Sequence, residues 1–252
     1  MEKPEVFLER QDAHFAEADV AQFNWQTSLP GVSERERSFV RHLVENLPAP
    51  LIELGSGEGA NLFHLTGTPG ATPLGVERSL NKARFAARAA PDSRFVCGDA
   101  TALPLATASA GSVLIRDVLH HLPDPRAAVY EAVRILRPGG RLVLAEPNAR
   151  NLLIQLQMLL VPAERGARQS TPESLRDLLA PLPLEGIERS MAAPFPLDRV
   201  VFHPRFGLPA LGRSRPVVRL LSELEAAIGR STDENRHSYV VLRATRNDDP
   251  LP

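Results

Sequence analysis

Short apolar segments alternate with helical patterns between residues 51 and 145, and this alternation limits the fold more than any other feature of the sequence. Short apolar runs separated by helices are typical of parallel strands that are buried on both faces of a sheet. The sequence therefore predicts an α/β fold with a doubly wound, mostly parallel sheet. The predicted strands are 51–54, 73–76, 94–97, 112–115 and 141–145.

Capping signals mark the helices around these strands. Ser33 and Glu36 have the spacing of a capping box, which predicts a helix over 34–46. Ser79 and Asp124 are N-cap residues in front of two further helices, and the second of these reaches residue 136. Later in the chain the pattern is weaker. It predicts helices over 172–179 and 216–228 and strands over 186–191 and 239–244.

Composition and charge exclude several classes of protein. The chain of 252 residues carries 29 Lys and Arg against 30 Asp and Glu, and this balance excludes an overall basic nucleic-acid-binding surface. The single Cys97 excludes an intrachain disulfide framework and a multi-cysteine zinc site. Residues 1–11 lack the apolar core of a signal peptide, and the apolar stretch 152–161 is too short for a membrane span. We therefore expect a cytoplasmic protein with no membrane span and no nucleic-acid partner.

A glycine-rich turn follows the first predicted strand. Its sequence is Glu-Leu-Gly-Ser-Gly-Glu-Gly, over 53–59. Glycines let the backbone turn tightly and approach a ligand, and the following helix offers free N–H groups. Ligands of open α/β sheets bind beyond the carboxyl ends of the strands, which is where this turn lies. A turn without a ligand has the same composition, so the motif alone is not specific.

Charged residues follow three further strands and make a nucleotide site the favoured interpretation. Glu77 ends the second strand, where a carboxylate can accept hydrogen bonds from both hydroxyls of a ribose. Asp99 follows the third strand, where a carboxylate can accept a hydrogen bond from an adenine amino group. Arg116 follows the fourth strand, beside the glycine turn. Successive carboxyl ends of one sheet thus carry the groups that a nucleotide needs.

Five motifs together resemble the class I S-adenosylmethionine (SAM)-dependent methyltransferases, and in particular the small-molecule branch with quinone-ring and natural-product enzymes. The motifs are ELGSGEG (53–59), GVERS (75–79), FVCGDATALPL (95–105), RDVLHHLPDP (116–125) and RILRPGGRLVLAEP (134–147). The resemblance implies a seven-stranded sheet of the Rossmann-like methyltransferase fold, SAM as cofactor and a small-molecule methyl acceptor, with O-methylation favoured.

The resemblance also implies a role for each cofactor-binding residue. The residues that would hold the methionine part are Glu53, Gly55, Ser56, Gly57 and Gly59, with Arg116 passing nearby. Glu77 would hold the ribose and Asp99 the adenine, with Arg78 and Ala100 flanking the adenine. Two positions depart from the family pattern. Ala110-Gly111 stands where Phe-Asp is usual, and Glu53 stands where Asp is commoner.

Three alternatives remain at this level. A dinucleotide-binding oxidoreductase has a similar glycine fingerprint, but the GDATALP segment and the RPGG turn have no role in that fold. A methyltransferase acting on RNA or protein is disfavoured, because residues 116–119 do not form an Asn-Pro-Pro-Tyr-like motif. A non-catalytic SAM-binding or scaffold protein would keep the same fold and motifs.

The candidate catalytic residues follow strands four and five. His120 and His121 follow strand four, and Glu146 follows strand five. If these strands are neighbours, an imidazole and a carboxylate meet near the acceptor, and the imidazole can take a proton from a hydroxyl. Related natural-product O-methyltransferases are thought to use a His at this place. Alternatively, either His caps the loop or braces the cofactor. The other histidines lack metal-like spacing, so no metal site is expected.

We expect one methyltransferase domain over 1–252, with an N-terminal arm and first helix over 1–47 and cap insertions over 148–236. In the family, such an arm folds over the cofactor; alternatively, the arm is a helix packed on the edge of the sheet. Its residues here are Phe7, Gln11, Asp12, His14, Phe15, Phe23 and Trp25. The apolar segment 152–169 is expected to roof a substrate pocket, to enter the core or to pair two subunits into a homodimer. Residues 195–215, rich in Phe and Arg, are a third candidate wall.

Overall fold

A computed structural model describes residues 11, 16–67, 72–205 and 207–251. The predictions about Phe7, Asp12, His14 and Phe15 lie outside the described residues, as does Phe206 of the predicted wall 195–215. The strands are β1 (Leu51–Leu54), β2 (Leu74–Glu77), β3 (Arg94–Cys97), β4 (Ala110–Arg116), β5 (Leu136–Pro147), β6 (Leu184–Ala192) and β7 (Tyr239–Arg246). The α-helices are α1 (Val20–Ser28), α2 (Pro30–Val44), α3 (Ala60–Phe63), α4 (Leu80–Ala89), α5 (Pro125–Ile135), α6 (Leu152–Leu160), α7 (Pro172–Leu179), α8 (Leu197–Val201) and α9 (Arg215–Ser231). The 3-10 segments are Leu119–His121, Pro162–Gln169, Pro209–Arg213 and Glu234–Arg236.

The strands form one seven-stranded sheet in the order β3-β2-β1-β4-β5-β7-β6. Strands β1 to β5 are parallel to one another, whereas β7 runs antiparallel to both β5 and β6. The predicted α/β fold with a mostly parallel sheet is therefore confirmed. The strand order reverses between β1 and β4, and the crevice at such a reversal is where α/β sheets bind ligands.

The central strands bury side chains on both faces of the sheet. Every residue of β4 is buried. Along this strand, Val113 and Ile115 pack on the side of α5, whereas Leu114 packs on the opposite side, with Leu43 of α2. This alternation is the two-residue period of a strand, and it explains why the sequence shows an apolar run and not an alternating pattern.

Most of the predicted helix starts are confirmed. The Ser79 side chain accepts a hydrogen bond from the backbone N–H of Lys82 at 3.3 Å, and Asp124 accepts one from Arg126 at 3.0 Å. These two residues are the N-caps of α4 and α5. Among the described residues, no helix has both the length and the apolar character required to cross a membrane.

Two local predictions are wrong. Helix α2 begins at Pro30 and not at residue 34, so Ser33 lies inside the helix, where its hydroxyl donates to the Thr27 carbonyl at 2.7 Å. Proline is favoured in the first turn of a helix, and the helix therefore begins at Pro30 and not at the predicted capping box. Strand β5 begins at Leu136 and not at residue 141, because the Pro-Gly-Gly turn is accommodated by a register shift opposite Ala110.

Gly111 explains the departure from the family pattern at the start of β4. A Cβ atom at this position would collide with the backbone carbonyl of Ala49 and would lie 2.6 Å from the carbonyl oxygen of Pro48. The neighbours are backbone atoms, which cannot rotate away. A side chain is therefore excluded by the close approach of the segment that precedes β1.

We expect Gly111→Ala to lower the free energy of unfolding by about 1–3 kcal/mol, the usual cost of overpacking. Denaturant unfolding of the purified protein measures this. Gly139→Ala is the control, because a Cβ there meets no atom within 4 Å and the cost arises only from its backbone φ of +74°. Equal losses in the two variants would contradict a steric requirement at Gly111.

Candidate active site

A cavity of about 500 Å³ lies beyond the carboxyl ends of β1 to β4. This volume is within the usual range for small-molecule sites. We call the part lined by residues 55–58, 77–78 and 98–101 the cofactor end, and the part lined by residues 117–123, 153–167, 196–203 and 238–239 the acceptor end. The predicted site residues that line the cavity are Gly55, Ser56, Gly57, Glu77, Arg78, Asp99, Ala100, Arg116, His120 and His121.

The glycines of the turn between β1 and α3 have different functions. Gly55, Gly57 and Gly59 all have positive φ, at +66°, +54° and +79°. A Cβ at Gly55 would lie 2.5 Å from a Val118 methyl, and one at Gly59 would lie 2.9 Å from the Ala86 methyl. A Cβ at Gly57 would meet no atom within 4 Å. Gly57 therefore borders open space in the cavity, whereas Gly55 and Gly59 permit close packing.

Glu77 joins the end of β2 to the glycine turn. One carboxylate oxygen accepts the backbone N–H of Gly57 at 2.9 Å, and the other accepts that of Ser79 at 2.8 Å. These two bonds orient the carboxylate and leave lone pairs on both oxygens. The arrangement is able to accept two further hydrogen bonds from a vicinal diol such as a ribose.

Asp99 occupies the loop after β3. One carboxylate oxygen accepts hydrogen bonds from the Thr101 backbone N–H at 2.8 Å and from the Thr101 hydroxyl at 2.7 Å. Partial burial would raise the pKa of Asp99, but the bonds from Thr101 outweigh it and the pKa is lowered. Asp99 is therefore an ionised acceptor at the cofactor end, with Ala100 beside it.

Glu53 lies behind the cavity and acts on it through Asn61. It is fully buried, and its Oε1 atom accepts a hydrogen bond from the Asn61 amide at 2.5 Å. Burial raises the pKa of Glu53 to about 7, against the lowering effects of Asn61 and the Arg116 charge. Its Oε2 atom and the Ser56 hydroxyl are buried and have no hydrogen-bond partner among the described residues.

A buried charge network extends from α2 to the cavity. The Arg116 guanidinium donates to Glu36 at 2.6 Å and to the Asn61 amide oxygen at 2.9 Å, and Arg199 lies 3.2 Å from the other Glu36 oxygen. Burial would raise the pKa of Glu36, but the two guanidinium groups hold it at about 2. Arg116 is thereby fixed in place, and it keeps its charge because its partners raise its pKa.

Tyr239 and Asp117 connect this network to the acceptor end. The Tyr239 hydroxyl donates to the two Asp117 oxygens at 2.8 and 2.9 Å, and Arg199 donates to the same hydroxyl at 2.5 Å. Desolvation raises the pKa of Asp117 despite the charges of Arg116 and Arg199. The sequence did not single out Arg199 or Tyr239, since one lies in a segment without periodicity and the other resembles an ordinary strand residue.

His120 and Glu146 meet, as the sequence predicts for neighbouring strands β4 and β5. The His120 Nδ1 atom lies 2.6 Å from Glu146, and the second Glu146 oxygen accepts the backbone N–H groups of Val118 and Leu119 at 2.8 and 2.9 Å. Glu146 is fully buried behind the cavity lining. The sequence reasoning missed Glu164, whose carboxylate lies 3.3 Å from His120 Nε2.

The surroundings of His120 favour its protonated form. Desolvation lowers the pKa of His120, but the Glu146 and Glu164 carboxylates outweigh this and raise it to about 10. An imidazole held in this way carries a proton on each of its two ring nitrogens at neutral pH. Neither nitrogen is then free to accept a further proton. The general-base role of His120 or His121 stays a prediction. The His121 ring also lines the acceptor end, 3.8 Å from the His120 ring between centroids.

The roof of the cavity comes from the N-terminal region and from the segments that follow β5. Gln11 lines it and donates to the Ala163 carbonyl at 2.9 Å, and Trp25 of α1 lines it as well. Helix α6 contributes Leu153, Leu156 and Leu160 to the lining.

On the other faces of α6, Leu152 and Leu159 are 61% and 68% exposed, so pairing of two subunits through α6 stays a prediction. From the third predicted wall, His203 lines the cavity, and Arg205 forms an ion pair with Asp19.

Comparison with known proteins agrees with this geometry. Residues 52–144 match a family model described as a methyltransferase domain. A demethylmenaquinone methyltransferase of Paenarthrobacter aurescens is 32% identical over 130 residues, which are 49% of this chain and 51% of that protein. The 27-O-demethylrifamycin SV methyltransferase of Amycolatopsis mediterranei is 31% identical, covering 51% of this chain and 45% of that protein. The 24-methylenesterol C-methyltransferase 2 of Oryza sativa is 31% identical, covering 49% and 38%. The matched region thus spans about half of these relatives or less.

Solved structures share the fold over nearly the whole chain. A SAM-dependent methyltransferase of Thermotoga maritima, a possible histamine N-methyltransferase, is 19% identical with a TM-score of 0.66, covering 95% of this chain and 100% of that one. The phosphoethanolamine N-methyltransferase 2 of Haemonchus contortus, solved with S-adenosylhomocysteine, is 14% identical with a TM-score of 0.66, covering 98% and 61%. The [4+2]-cyclase SpnF is 19% identical with a TM-score of 0.54, covering 86% and 81%.

Residues 52–144 thus match a methyltransferase domain, and the seven-stranded fold is shared with solved SAM-dependent methyltransferases. SAM is the cofactor of this class, and the residues present fit it. The cofactor end offers open space at Gly57, free lone pairs on Glu77 and a buried Ser56 hydroxyl that has no hydrogen-bond partner within the described part of the chain. Which residues contact the cofactor stays a prediction.

Glu53 gives the cofactor-free protein a specific pH dependence. Its pKa in the folded state is raised from 4.5 to about 7, so the folded state binds this proton more tightly than the unfolded chain. The resulting stability is present at low pH and is lost as the pH rises through about 7. Arg116, Glu77 and Asp117 are the charged groups that influence Glu53.

We therefore expect the wild type to lose on the order of 3 kcal/mol of stability relative to Glu53→Gln between about pH 4.5 and pH 8. Urea unfolding of both proteins across this range measures the difference between their free energies of unfolding. The other titrating groups contribute equally to both proteins, so their contributions cancel in this difference. A difference that stays constant with pH would show that Glu53 ionises normally in the folded state.

Proposed function

We propose that this chain transfers a methyl group from SAM to a small-molecule acceptor, with oxygen as the favoured acceptor atom. The observation that carries the proposal is that one cavity combines both halves of the reaction. Its cofactor end has the glycine turn, Glu77 and Asp99, and its acceptor end has polar side chains under an apolar roof. The two ends meet at Gly55 and Arg116, where β1 and β4 lie side by side.

At the cofactor end, the chain's own groups bind by hydrogen bonding. The oriented Glu77 carboxylate suits two ribose hydroxyls, and the ionised Asp99 suits the adenine amino group. The backbone at Gly57 leaves room for a ligand to pass close to the turn. When bound, SAM supplies a methyl group on a positively charged sulfur, which is electrophilic without any further activation.

At the acceptor end, the chain must align the acceptor atom with the S–CH3 bond and keep water out. Alignment in a closed site supplies several kcal/mol of barrier reduction in favourable cases. The leucines of α6 and the Trp25 ring exclude water, whereas Asp117 and Tyr239 can orient a hydroxyl by hydrogen bonds. This combination supports an oxygen acceptor on a largely apolar molecule.

The relatives support a small-molecule acceptor but differ in the acceptor atom. One is named as an O-demethylrifamycin methyltransferase and another as a sterol C-methyltransferase. Polar groups at the acceptor end of this chain favour the oxygen alternative. The similarity to a [4+2]-cyclase supports a second candidate function, in which the fold catalyses another reaction or only binds SAM.

A binding measurement followed by a product screen separates these functions. SAM binding is measured by calorimetry, and the protein is then incubated with isotope-labelled SAM and a panel of quinols, phenols, sterols and amines. Mass spectrometry detects the labelled methyl group in the product. A labelled ether from a phenol or quinol supports the proposal. Label on carbon or nitrogen overturns the oxygen assignment, and binding without any labelled product favours the second function.

The cofactor assignment predicts that Asp99→Asn and Glu77→Gln each weaken SAM binding about ten- to a hundredfold, because each removes a charged hydrogen-bond acceptor. Calorimetry at equal ionic strength measures this. Asp92→Asn is the matched control, because Asp92 is an exposed acid just before β3, at the opposite end of the strand from Asp99. Wild-type affinity in both site variants would show that the nucleotide site is wrongly placed.

Gly57 allows a test with a closely matched control. Gly57→Asn is expected to lower SAM affinity by roughly tenfold or more, because the side chain occupies the ligand's space, and Asn tolerates a positive φ. Gly139 also has a positive φ and open space around its Cβ, but it lies in β5 and away from the cavity. Gly139→Asn is therefore expected to bind SAM normally. Equal affinities in the two variants would contradict the role of the glycine turn.

A further inference from the structure

Three metal-ligating side chains converge at the acceptor end of the cavity. The candidate ligand atoms of His120, His121 and Glu164 all lie within 4.8 Å of one another. The two histidines come from the 3-10 segment after β4, and Glu164 comes from the roof segment Pro162–Gln169. All three side chains line the cavity, so an ion among them would be accessible from it.

The orientation of His120 is that of an imidazole that binds a metal ion. Its Nδ1 atom faces Glu146 at 2.6 Å, and Glu146 is itself anchored by two backbone N–H groups. Histidines that bind metals almost always donate their other ring N–H to a carboxylate, a carbonyl or water. The Nε2 atom of His120 is buried and forms no hydrogen bond with acceptable geometry among the described residues.

The position of Glu164 is fixed by close backbone packing. Gly166 lies directly against the carbonyl group of His120, and a Cβ on Gly166 would collide with that oxygen. Ala167, one residue further, packs with Ile154 and Met158 of α6. These contacts hold the roof segment against the backbone of His120. They thereby fix the Glu164 carboxylate close to the two imidazole rings.

Charge and ligand type define the class of ion that would fit. Glu146 and Glu164 bring two negative charges to the cluster. A divalent cation that displaces the Nε2 proton of His120 would balance these charges and leave both imidazoles neutral. Two imidazole nitrogens and one carboxylate suit Zn²⁺ and related transition metals. Mg²⁺ and Ca²⁺ are disfavoured, because they prefer sets of oxygen ligands.

We propose that His120, His121 and Glu164 bind a divalent transition-metal ion of the Zn²⁺ type, with Glu146 orienting His120. The remaining coordination positions face the cavity, where they would take an oxygen atom of the acceptor. That second role rests on the proposed function, whereas metal binding does not.

The test uses the whole protein after treatment with a chelator, without SAM. Zn²⁺ alone is titrated by calorimetry, and Co²⁺ alone is added while the visible absorption of the ion is recorded. One equivalent of ion is expected to bind, and the Co²⁺ spectrum is expected to show coordination by nitrogen. His121→Ala and Glu164→Gln are each expected to lower the affinity for Zn²⁺ at least about tenfold.

His42→Ala is the control, because its ring is exposed and lies 3.8 Å from the Glu45 carboxylate, away from the cluster. It is expected to bind Zn²⁺ like the wild type, and circular dichroism verifies that every variant is folded. Absence of stoichiometric binding overturns the proposal. Binding that His121→Ala and Glu164→Gln leave unchanged also overturns it, since the ion would then be elsewhere.

The outcome is independent of the proposed function. SAM binding and methyl transfer are measured separately on the chelator-treated protein and on the Zn²⁺-loaded protein. If Zn²⁺ binds to the cluster but no acceptor is methylated, the proposed function fails and the metal site stands. If methyl transfer proceeds without bound metal and Zn²⁺ does not bind, the metal site fails and the function stands.

Discussion

The parallel pairing of β1 with β4 is the constraint on which the rest of the site depends. The register places Leu54 beside Ile115, so that the glycine turn and the loop from Arg116 to His121 leave the sheet together. The strand order reverses here, and the cavity lies at this junction. Gly55 makes the proximity possible, because a side chain there would collide with Val118.

The charge network beneath the cavity ties the first long helix to this junction. Glu36 of α2 is 5% exposed and binds both Arg116 and Arg199, which lie far apart in the chain. Removing one partner of a buried ion pair typically costs about 3–5 kcal/mol, because the other charge stays buried without compensation. The network therefore holds α2, β4 and α8 in one arrangement and sets the shape of the cavity between them.

The parts of the site that sequence reasoning predicted are those whose position follows from strand order alone. Glu77 is the last residue of β2 and Asp99 lies two residues after β3, and His120 meets Glu146 because β4 and β5 are neighbours. Glu36, Arg199 and Glu164 depend on how distant segments pack, and no local pattern marks them. At Glu36 the sequence is misleading, because its spacing from Ser33 is that of a capping box and predicts a helix start instead of a buried ion pair.

The same contacts position the roof and the polar groups of the acceptor end. Covering the cavity and assembling its polar groups therefore depend on one segment. The segment from Pro162 to Gln169 covers the cavity, packs on the His120 backbone through Gly166 and delivers Glu164 to the imidazole. Without that segment, His120 would keep only the carboxylate of Glu146. The polar environment that the proposed acceptor would meet therefore includes Glu164 of the same segment that covers the cavity.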